Sequence, residues 1–266
     1  MRLSPVCLRI IVLVLLVSFW RTAPAQQSDA SSPPAKNAPV SLEDVVRNLQ
    51  QRNAQRAAAL QEFSGTRVYR MEYRGLPSDR DAQMVVNAVF NAPDSKKFTV
   101  LSESGSKFIL DHVFKRLLEG EQEAANPQNR RLTALSTENY DFAWLGYEST
   151  PAGVQYVLSL LPKSKNKFLY RGKIWVDAQD FAVVRIEGEP AKNPSFWIKK
   201  TEIKHRYIKV NEFWLPAENH TESVIRLGGR ATLTIEYRDY KITKSLSLPT
   251  AKSADASKYP PQSAAK

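Results

Sequence analysis

The sequence contains a single cysteine, ten glycines and three histidines in 266 residues, and these shortages exclude several kinds of site. Cys7 lies at the start of the chain, in a segment that we expect to be removed, so the mature protein has no thiol for a disulfide, a nucleophile or a metal ligand. With so few glycines, phosphate-binding loops are not expected. The fold must therefore be stabilised by a hydrophobic core.

Catalytic patterns are also missing. The histidines, His112, His205 and His220, are far apart, and none has a second metal-ligating residue at helical or strand spacing. The sequence has no zinc-protease, nucleophile-elbow, phosphate-loop or dinucleotide-loop motif. Asp177 and Asp180 flank a predicted strand end, where acids commonly close turns. We expect no enzyme activity, no metal and no cofactor, and we expect the histidines to be solvated or packed.

A long apolar run is absent everywhere except at the amino terminus. Arg2 and Arg9 precede an apolar stretch, 10–17, and a small-x-small cleavage site ends at Ala25. This pattern is typical of a signal peptide, because the stretch is too short for a stable transmembrane helix. We expect cleavage after Ala25 and export to the periplasm, with an uncleaved anchor helix as the alternative.

Positive charge dominates what remains. Loss of the three signal-peptide arginines lowers the formal net charge from +11 to +8. A basic exported protein tends to meet anionic surfaces such as lipid head groups or acidic glycans. Charge that serves only solubility explains the same composition. We expect no nucleic-acid partner.

The composition divides the chain into an ordered middle and two flexible ends. Residues 26–40 and 247–266 are rich in Ser, Pro and Ala without apolar periodicity, which predicts a flexible linker and a disordered tail. Residues 41–246 are predicted to form one domain, because all-β domains of about 200–250 residues commonly fold as a single unit.

Hydrophobic spacing predicts mainly strands in this domain. A helical stripe follows the N-cap candidate Ser41 and extends to Leu60, and a second stripe covers 108–121. Alternation with period two indicates ten strands: one ending before Gly75, then 82–91, 97–102, 139–148, 153–161, 167–177, 182–188, 196–210, 213–226 and 230–243. Since there are two sizeable helices but no long crossover helices between the strands, we predict an α+β fold that is mainly β, a curved antiparallel half-open β-barrel with helices covering its concave face.

Several of these strands are apolar on both faces, whereas 196–210 has one charged face. Helices would cover one apolar face, and an internal cavity would explain the other. An empty cavity costs about 20 cal/mol per Å² of its surface, so a greasy ligand would fill it. Burial of both faces without a ligand is the alternative. The candidate cavity-lining residues are Met84, Val86, Phe90, Phe142, Trp144, Tyr156 and Leu158.

Four short segments carry a resemblance to a known family. They are Gly172 to Asp177, Ala182 to Ile186, Thr201 to Ile203, and Phe213 to Ala217. With these segments the chain, over about 41–245, resembles the outer-membrane lipoprotein-sorting proteins, which are similar to the periplasmic carrier LolA. The chain differs from those carriers in its helix at 108–121 and in the link 189–195, and the sequence identifies no equivalent of their lid-locking arginine.

The resemblance implies a half-barrel whose helices act as a lid over a cavity for lipoprotein acyl chains, with membrane-bound donor and acceptor proteins as partners. A related group with the same fold senses envelope stress. We therefore expect a periplasmic carrier or chaperone for acyl chains. A sensor or interaction protein is the first alternative. A glycan-binding protein that uses Trp175, Trp197 and Trp214 is the second, although core tryptophans are commoner.

Overall fold

The computed structural model describes residues 40–193, 195–226 and 228–248. The predicted signal peptide, 1–25, lies outside these residues, as do almost all of the predicted linker and tail. The elements are α1 (Leu42–Ala59), β1 (Leu60–Arg74), β2 (Arg80–Asn91), β3 (Ser95–Gly105), α2 (Lys107–Ile109), a π-helical turn (Leu110–Phe114), α3 (Lys115–Ala125), α4 (Pro127–Thr133), β4 (Tyr140–Thr150), β5 (Gly153–Pro162), β6 (Tyr170–Asp177), β7 (Val183–Pro190), β8 (Ile198–Val210), β9 (Phe213–Ile225) and β10 (Arg230–Ser245).

The ten strands form one antiparallel sheet in the order β3-β2-β1-β10-β9-β8-β7-β6-β5-β4. Strands β3 and β4 are its two edges, so the sheet is open rather than closed into a barrel. The predicted class, a mainly β fold with an open antiparallel sheet and covering helices, is confirmed. Within the described part of the chain, no helix is long and apolar enough to cross a bilayer.

One local prediction needs correction. Leu60, the last residue of the first helical stripe, begins β1, because α1 ends at Ala59 and the backbone becomes extended at its C-cap. A short helix that the sequence analysis did not predict, α4, follows Asn126. There the side chain of Asn126 accepts a hydrogen bond from the Gln128 N–H at 2.9 Å, and Pro127 occupies the first helical position, where its missing N–H is harmless.

Cross-strand register defines the two faces of the sheet. Directly opposite residues point to the same face, so one row can be followed from strand to strand. From β2 to β4 the row is Met84, Tyr69, Ile235, Asn219, His205, Ile186, Ile174, Leu158 and Trp144. We call the face that carries this row the inner face. Except at its centre, the row is apolar.

Helices cover the inner face at both ends. Val45, Val46 and Leu49 of α1 are buried against β4–β7, including Tyr156, Leu158 and Ile174. At the other end, Ile109 and Phe114 are buried against Tyr69, Met84 and Val86. α1 begins at a capping interaction, because the Ser41 hydroxyl accepts a hydrogen bond from the Asp44 N–H.

The second cover belongs to the connection between the two edge strands. Residues 107–139, which we call the strap, leave β3 and arrive at β4, so the chain has to pass from one edge of the open sheet to the other. Along the way Leu135 packs on the cluster beneath α1, and Arg130 Nη1 donates to the Pro93 carbonyl at 2.7 Å. The strap therefore contacts both covered ends of the inner face.

The outer face of the later strands is charged, as the alternation in 196–210 predicted. Arg206 on β8 pairs with Glu218 on β9, and Arg185 on β7 pairs with Glu148 at 3.1 Å. Exposed pairs of this kind contribute little stability. The inner face is therefore the only candidate for a greasy site on these strands.

Gly172 and Gly188 face each other across β6 and β7 on the inner side, where the two backbones approach closely. A Cβ atom at Gly188 would lie 2.1 Å from the Arg171 carbonyl oxygen, whereas a Cβ at Gly120 on α3 would meet nothing within 4 Å. Only glycine fits at position 188 without movement of the backbone.

We predict opposite effects of one added methyl group at these two glycines. Gly188→Ala should lower the free energy of unfolding by about 2 kcal/mol because of overpacking, and Gly120→Ala should raise it by about 0.5–1 kcal/mol because alanine favours the helix. Urea denaturation of both variants checks this. Equal effects at the two positions would contradict the packing described for β6 and β7.

Candidate functional site: the cleft between the helical covers

The two covers do not meet in a packed seam. A cleft of about 860 Å³ separates the exposed side of α1, at Gln50, Ala54 and Ala57, from α4 and the segment after it. A second cavity of about 310 Å³ continues toward the sheet. The two share Asn53, Ala57 and Leu135 as lining residues, so they adjoin. Together they form what we call the interhelical cleft.

The inner end of the cleft is mainly apolar and aromatic. It is lined by Leu60, Val183, Phe213 and Trp214, with Tyr207 on β8. Burial raises the pKa of Tyr207 to about 12, so its hydroxyl stays protonated and neutral. Apart from Arg56 and Asn53, this end of the cleft is apolar or aromatic, and the two volumes are within the range of ligand pockets, which suits a largely apolar molecule.

Polar contacts hold the carboxyl-terminal end of α1 in place at this cleft. The Arg56 guanidinium donates to the carbonyl oxygens of Asp180 and Phe181 at 2.9 and 3.0 Å. Burial opposes ionisation of the Asp180 carboxyl, but hydrogen bonds from Lys209 and Trp214 outweigh it and lower its pKa. Charge-assisted hydrogen bonds thus hold the carboxyl-terminal end of α1 to the connection between β6 and β7.

A buried ion pair holds the strap to the inner face. Arg67 on β1 is only 6% exposed and pairs with Glu121 on α3, while the Tyr69 hydroxyl donates to Glu121 at 2.9 Å and Lys96 Nζ lies 3.2 Å from it. The Arg67 guanidinium also lies over the rings of Phe98 and Tyr237, at 5.2 and 5.1 Å. The Arg67 guanidinium is therefore paired with a carboxylate and lies over two aromatic rings.

This environment sets the protonation of the pair. Burial alone would raise the pKa of Glu121, but Arg67 and Lys96 outweigh it and lower that pKa below its usual value. Burial also disfavours the charged form of Arg67, yet the carboxylate of Glu121 raises its pKa. Both groups are charged at neutral pH. Arg67 thus binds a covering helix to the inner face. The sequence analysis did not identify an arginine with this role.

At the centre of the inner face lies His205. Burial lowers its pKa from 6.5 to about 4, and its ring packs edge-on against Tyr170 with 5.4 Å between centroids. The imidazole is therefore neutral at pH 7 and packed, one of the two roles that the sequence predicted for the histidines. Asp177 also behaves as predicted, since its side chain accepts hydrogen bonds from the backbone N–H groups of Gln179 and Asp180.

All seven predicted cavity residues lie on the inner face, but they do not line one common space. Met84 and Val86 are buried beneath the strap, and Tyr156 and Leu158 beneath α1. Phe142 packs at the margin of the α1 cluster, Phe90 stacks on Phe63 at 5.2 Å, and Trp144 is 40% exposed at the edge of the sheet. The interhelical cleft is lined by other residues. A ligand reaches the four buried side chains only if a cover moves, and as ligand contacts the seven remain a prediction.

The tryptophans of the glycan hypothesis do not share a surface. Trp175 is 4% exposed, with Arg185 stacked on its ring at 3.6 Å. Trp197 precedes the start of β8, whereas Trp214 pairs in register with Lys209 near its end. Twelve residues of strand separate these two positions by about 40 Å. Trp175 is a core tryptophan, and glycan binding remains a prediction that depends on Trp197.

The comparisons with known proteins give structural matches only. No family model matches the chain, and no curated protein matches it in sequence. An outer membrane lipoprotein-sorting protein domain from Vibrio parahaemolyticus matches at 12% identity and a TM-score of 0.42, over 77% of this chain and 94% of that one. A LolA superfamily protein from Nitrosomonas europaea matches at 13% identity and a TM-score of 0.34, over 77% and 94%.

The MucA/MucB complex of Pseudomonas aeruginosa also matches, at 10% identity and a TM-score of 0.24, over 75% of this chain and 100% of that one. Structures of the lipoprotein-sorting family are thus among the matches, as the four short segments of the sequence predicted. Because every identity is low and every TM-score is below 0.5, the function of this chain has to be argued from its own residues.

We predict that Glu121→Gln lowers the free energy of unfolding by about 3 kcal/mol, because it leaves the Arg67 guanidinium buried without a counter-charge. The control Glu123→Gln, which removes an exposed pair with Lys167, should change it by less than about 0.5 kcal/mol. The triple variant Arg67→Met/Lys96→Met/Glu121→Met, which removes the whole buried charge cluster, should recover most of the loss. Urea denaturation at pH 7 tests all three, and a harmless Glu121→Gln would refute the role of the pair.

We also predict that stability declines below pH 6.5 because of His205. Between pH 6.5 and about 4 the unfolded chain binds a proton at this position and the folded chain does not, so stability falls as the pH falls through this window. The expected loss is about 2 kcal/mol after allowance for partial exposure. His205→Phe should flatten this part of the curve, whereas His112→Gln, which removes an exposed histidine, should not.

Proposed function

We propose that this protein is a non-catalytic periplasmic carrier or chaperone that binds the acyl chains of lipoproteins or other lipids on the inner face of its open sheet. The observation that carries the proposal is the interhelical cleft, where the two covers of an apolar face are separated by space instead of packed side chains. An acyl chain has the chemistry to fill such a space, since it needs no polar partner.

The free energy gained by burying methylene groups favours an acyl chain as the ligand. Each buried methylene contributes about 0.8 kcal/mol, so ten methylenes contribute about 8 kcal/mol before the costs of ordering the chain are subtracted. The surplus is sufficient for reversible binding without covalent chemistry. Reversibility is what a carrier requires, because it must also release its cargo.

The cleft provides a matched pair of variants. Ala57 lies on the exposed side of α1 and lines both cavities, while its neighbour Ala58 is exposed and lines neither. Ala57→Asp should weaken binding of a fluorescent fatty acid at least about tenfold, because acyl-chain burial would then desolvate a charge. Ala58→Asp carries the same helix penalty and should leave binding unchanged. Titration at pH 7 gives the comparison.

A third variant, Trp144→Asp, tests whether the ligand binds at the edge strand β4 or in the interhelical cleft. If Trp144→Asp abolishes binding and Ala57→Asp does not, the ligand lies against β4 and not in the interhelical cleft. If the parent protein binds no fatty acid, the lipid-binding function is refuted. If it binds and neither Ala57→Asp nor Trp144→Asp weakens the binding, both assigned sites are refuted. Native mass spectrometry of the protein extracted from its own periplasm would identify the cargo and test the compartment.

An interaction protein, such as a sensor of envelope stress, is the second candidate, and one observation favours it. Edge strand β4 exposes Trp144 and Leu145, at 40% and 50%, beside an unpaired backbone. Such an edge can accept a strand from another protein. Co-purification of one stoichiometric protein partner without lipid would favour this function over the carrier.

A further inference from the structure

Large apolar side chains are exposed at one end of the sheet. Leu76 in the β1–β2 connection and Phe196 before β8 are about three-quarters exposed, and Trp197 is 55% exposed. At the same end Phe108, on the first turn of α2, is 56% exposed. We call these four residues the aromatic rim. They protrude from connections and are not part of the inner face, so the interhelical cleft does not account for them.

Hydrogen bonds join the connections that carry three of these residues. The Arg226 backbone N–H donates to the Trp197 carbonyl at 2.8 Å, and its side-chain Nε donates to the Phe196 carbonyl at 2.6 Å. The Tyr73 hydroxyl lies within hydrogen-bond distance of the carbonyls of Leu76 and Gly228. The β1–β2, β7–β8 and β9–β10 connections therefore form one continuous surface.

Cations lie among the rim residues. Arg226 stacks on Phe196 at 5.0 Å and Arg80 on Phe108 at 5.5 Å. Neither arginine, nor Lys199, takes part in an ion pair within the described chain, in contrast to the paired arginines of the outer face. The sequence 191–200 contains three lysines and no acid. Positive charge at this end is thus left for an external partner.

A polar pocket of about 450 Å³ opens at the same end. It is lined by Lys165, Lys167 and Lys192 with Asn139, Asn166 and Asn193. The Asn193 side chain also donates to the carbonyl of Ile198, which links the pocket to the rim. Lys167 pairs with Glu123, and the amides of Asn139 and Asn193 already donate to backbone carbonyls. Lys165 and Lys192 make no ion pair within the described residues, so their ammonium groups are the donors for the oxygens of a phosphate head group.

From this arrangement we propose that the aromatic rim is a docking surface for an anionic lipid bilayer. Phe196 and Trp197 insert at the level of the head groups, where amphipathic aromatic rings are favoured, and the lysine pocket binds lipid phosphates. Because the rim does not line the cleft, this proposal does not depend on the proposed cargo.

Charge complementarity selects a membrane as the occupant. The rim combines protruding apolar tips with unpaired cations, and an anionic bilayer offers a fluid apolar layer beneath a negative surface.

The test measures co-sedimentation of the full exported chain with vesicles of phosphatidylcholine alone or mixed equally with phosphatidylglycerol. We expect binding to the mixed vesicles that weakens as salt increases. Phe196→Ser/Trp197→Ser should reduce it at least about tenfold. Lys165→Gln/Lys192→Gln should reduce it about 25-fold, since each cation near such a surface contributes about fivefold.

Two matched control variants remove the same number of apolar or lysine side chains at positions outside the rim and the lysine pocket. Leu145→Ser/Leu161→Ser deletes equally exposed apolar residues on β4 and β5, and Lys241→Gln/Lys244→Gln removes two exposed lysines on β10. Both should retain binding within about twofold. The conservative variant Trp197→Phe should keep the affinity but lose most of the tryptophan blue shift that vesicles induce.

Three results would overturn the proposal. They are equal binding to neutral and anionic vesicles, equal losses in the rim and control variants, and a full blue shift in Trp197→Phe. Binding to sedimented peptidoglycan without binding to vesicles would assign the rim to glycans instead. Thermal melting of each variant establishes that it is folded.

Discussion

The rest of the structure depends on one constraint, which is that the two edges of an open sheet are joined by the chain itself. The strap has to cross the inner face, and the Arg67–Glu121 pair fixes where it crosses. A buried ion pair contributes little net stability compared with apolar side chains of the same size, but breaking it is costly. Its main effect is therefore to select one position of the strap among several that would cover the same oily surface.

The sequence was sufficient to predict the sheet, but not the interactions that hold the helical covers on its inner face. Alternation depends only on local burial, so the ten strands were predictable. Strands such as 82–91 and 139–148 are apolar on both faces, however, so the sequence did not show which face is the inner one. Arg67 shares the inward parity of Tyr69 and Met71, and Glu121 follows the apolar stripe of Leu117 and Leu118. Those inward charges were the available signal, but their pairing spans 54 residues and depends on tertiary structure.

The cleft was not predictable for a different reason. Periodicity identifies which residues share a face, as Met84 and Leu158 share the inner face, but it cannot tell whether a helix or a ligand covers them. That outcome depends on where α1 ends and where α4 begins. Both boundaries are set locally, by the extended backbone at Leu60 and by the Asn126 cap. Space remains between the covers because neither helix extends across the whole inner face.

The two covers differ in how firmly they are held, and this difference bears on the proposed carrier function. The strap is fixed at both ends by the sheet and in the middle by a buried charge, whereas α1 is held mainly by Val45, Val46 and Leu49 and by Arg56. Exposing three such apolar side chains costs about 6 kcal/mol, and loss of the two Arg56 hydrogen bonds adds to that cost, so a lipid that displaced α1 would have to bury more than about eight methylenes. In the proposed carrier function, such a lipid would displace α1 and leave the Arg67–Glu121 pair intact. The side chains exposed to it would then be Tyr156 and Leu158, which α1 covers in this structure.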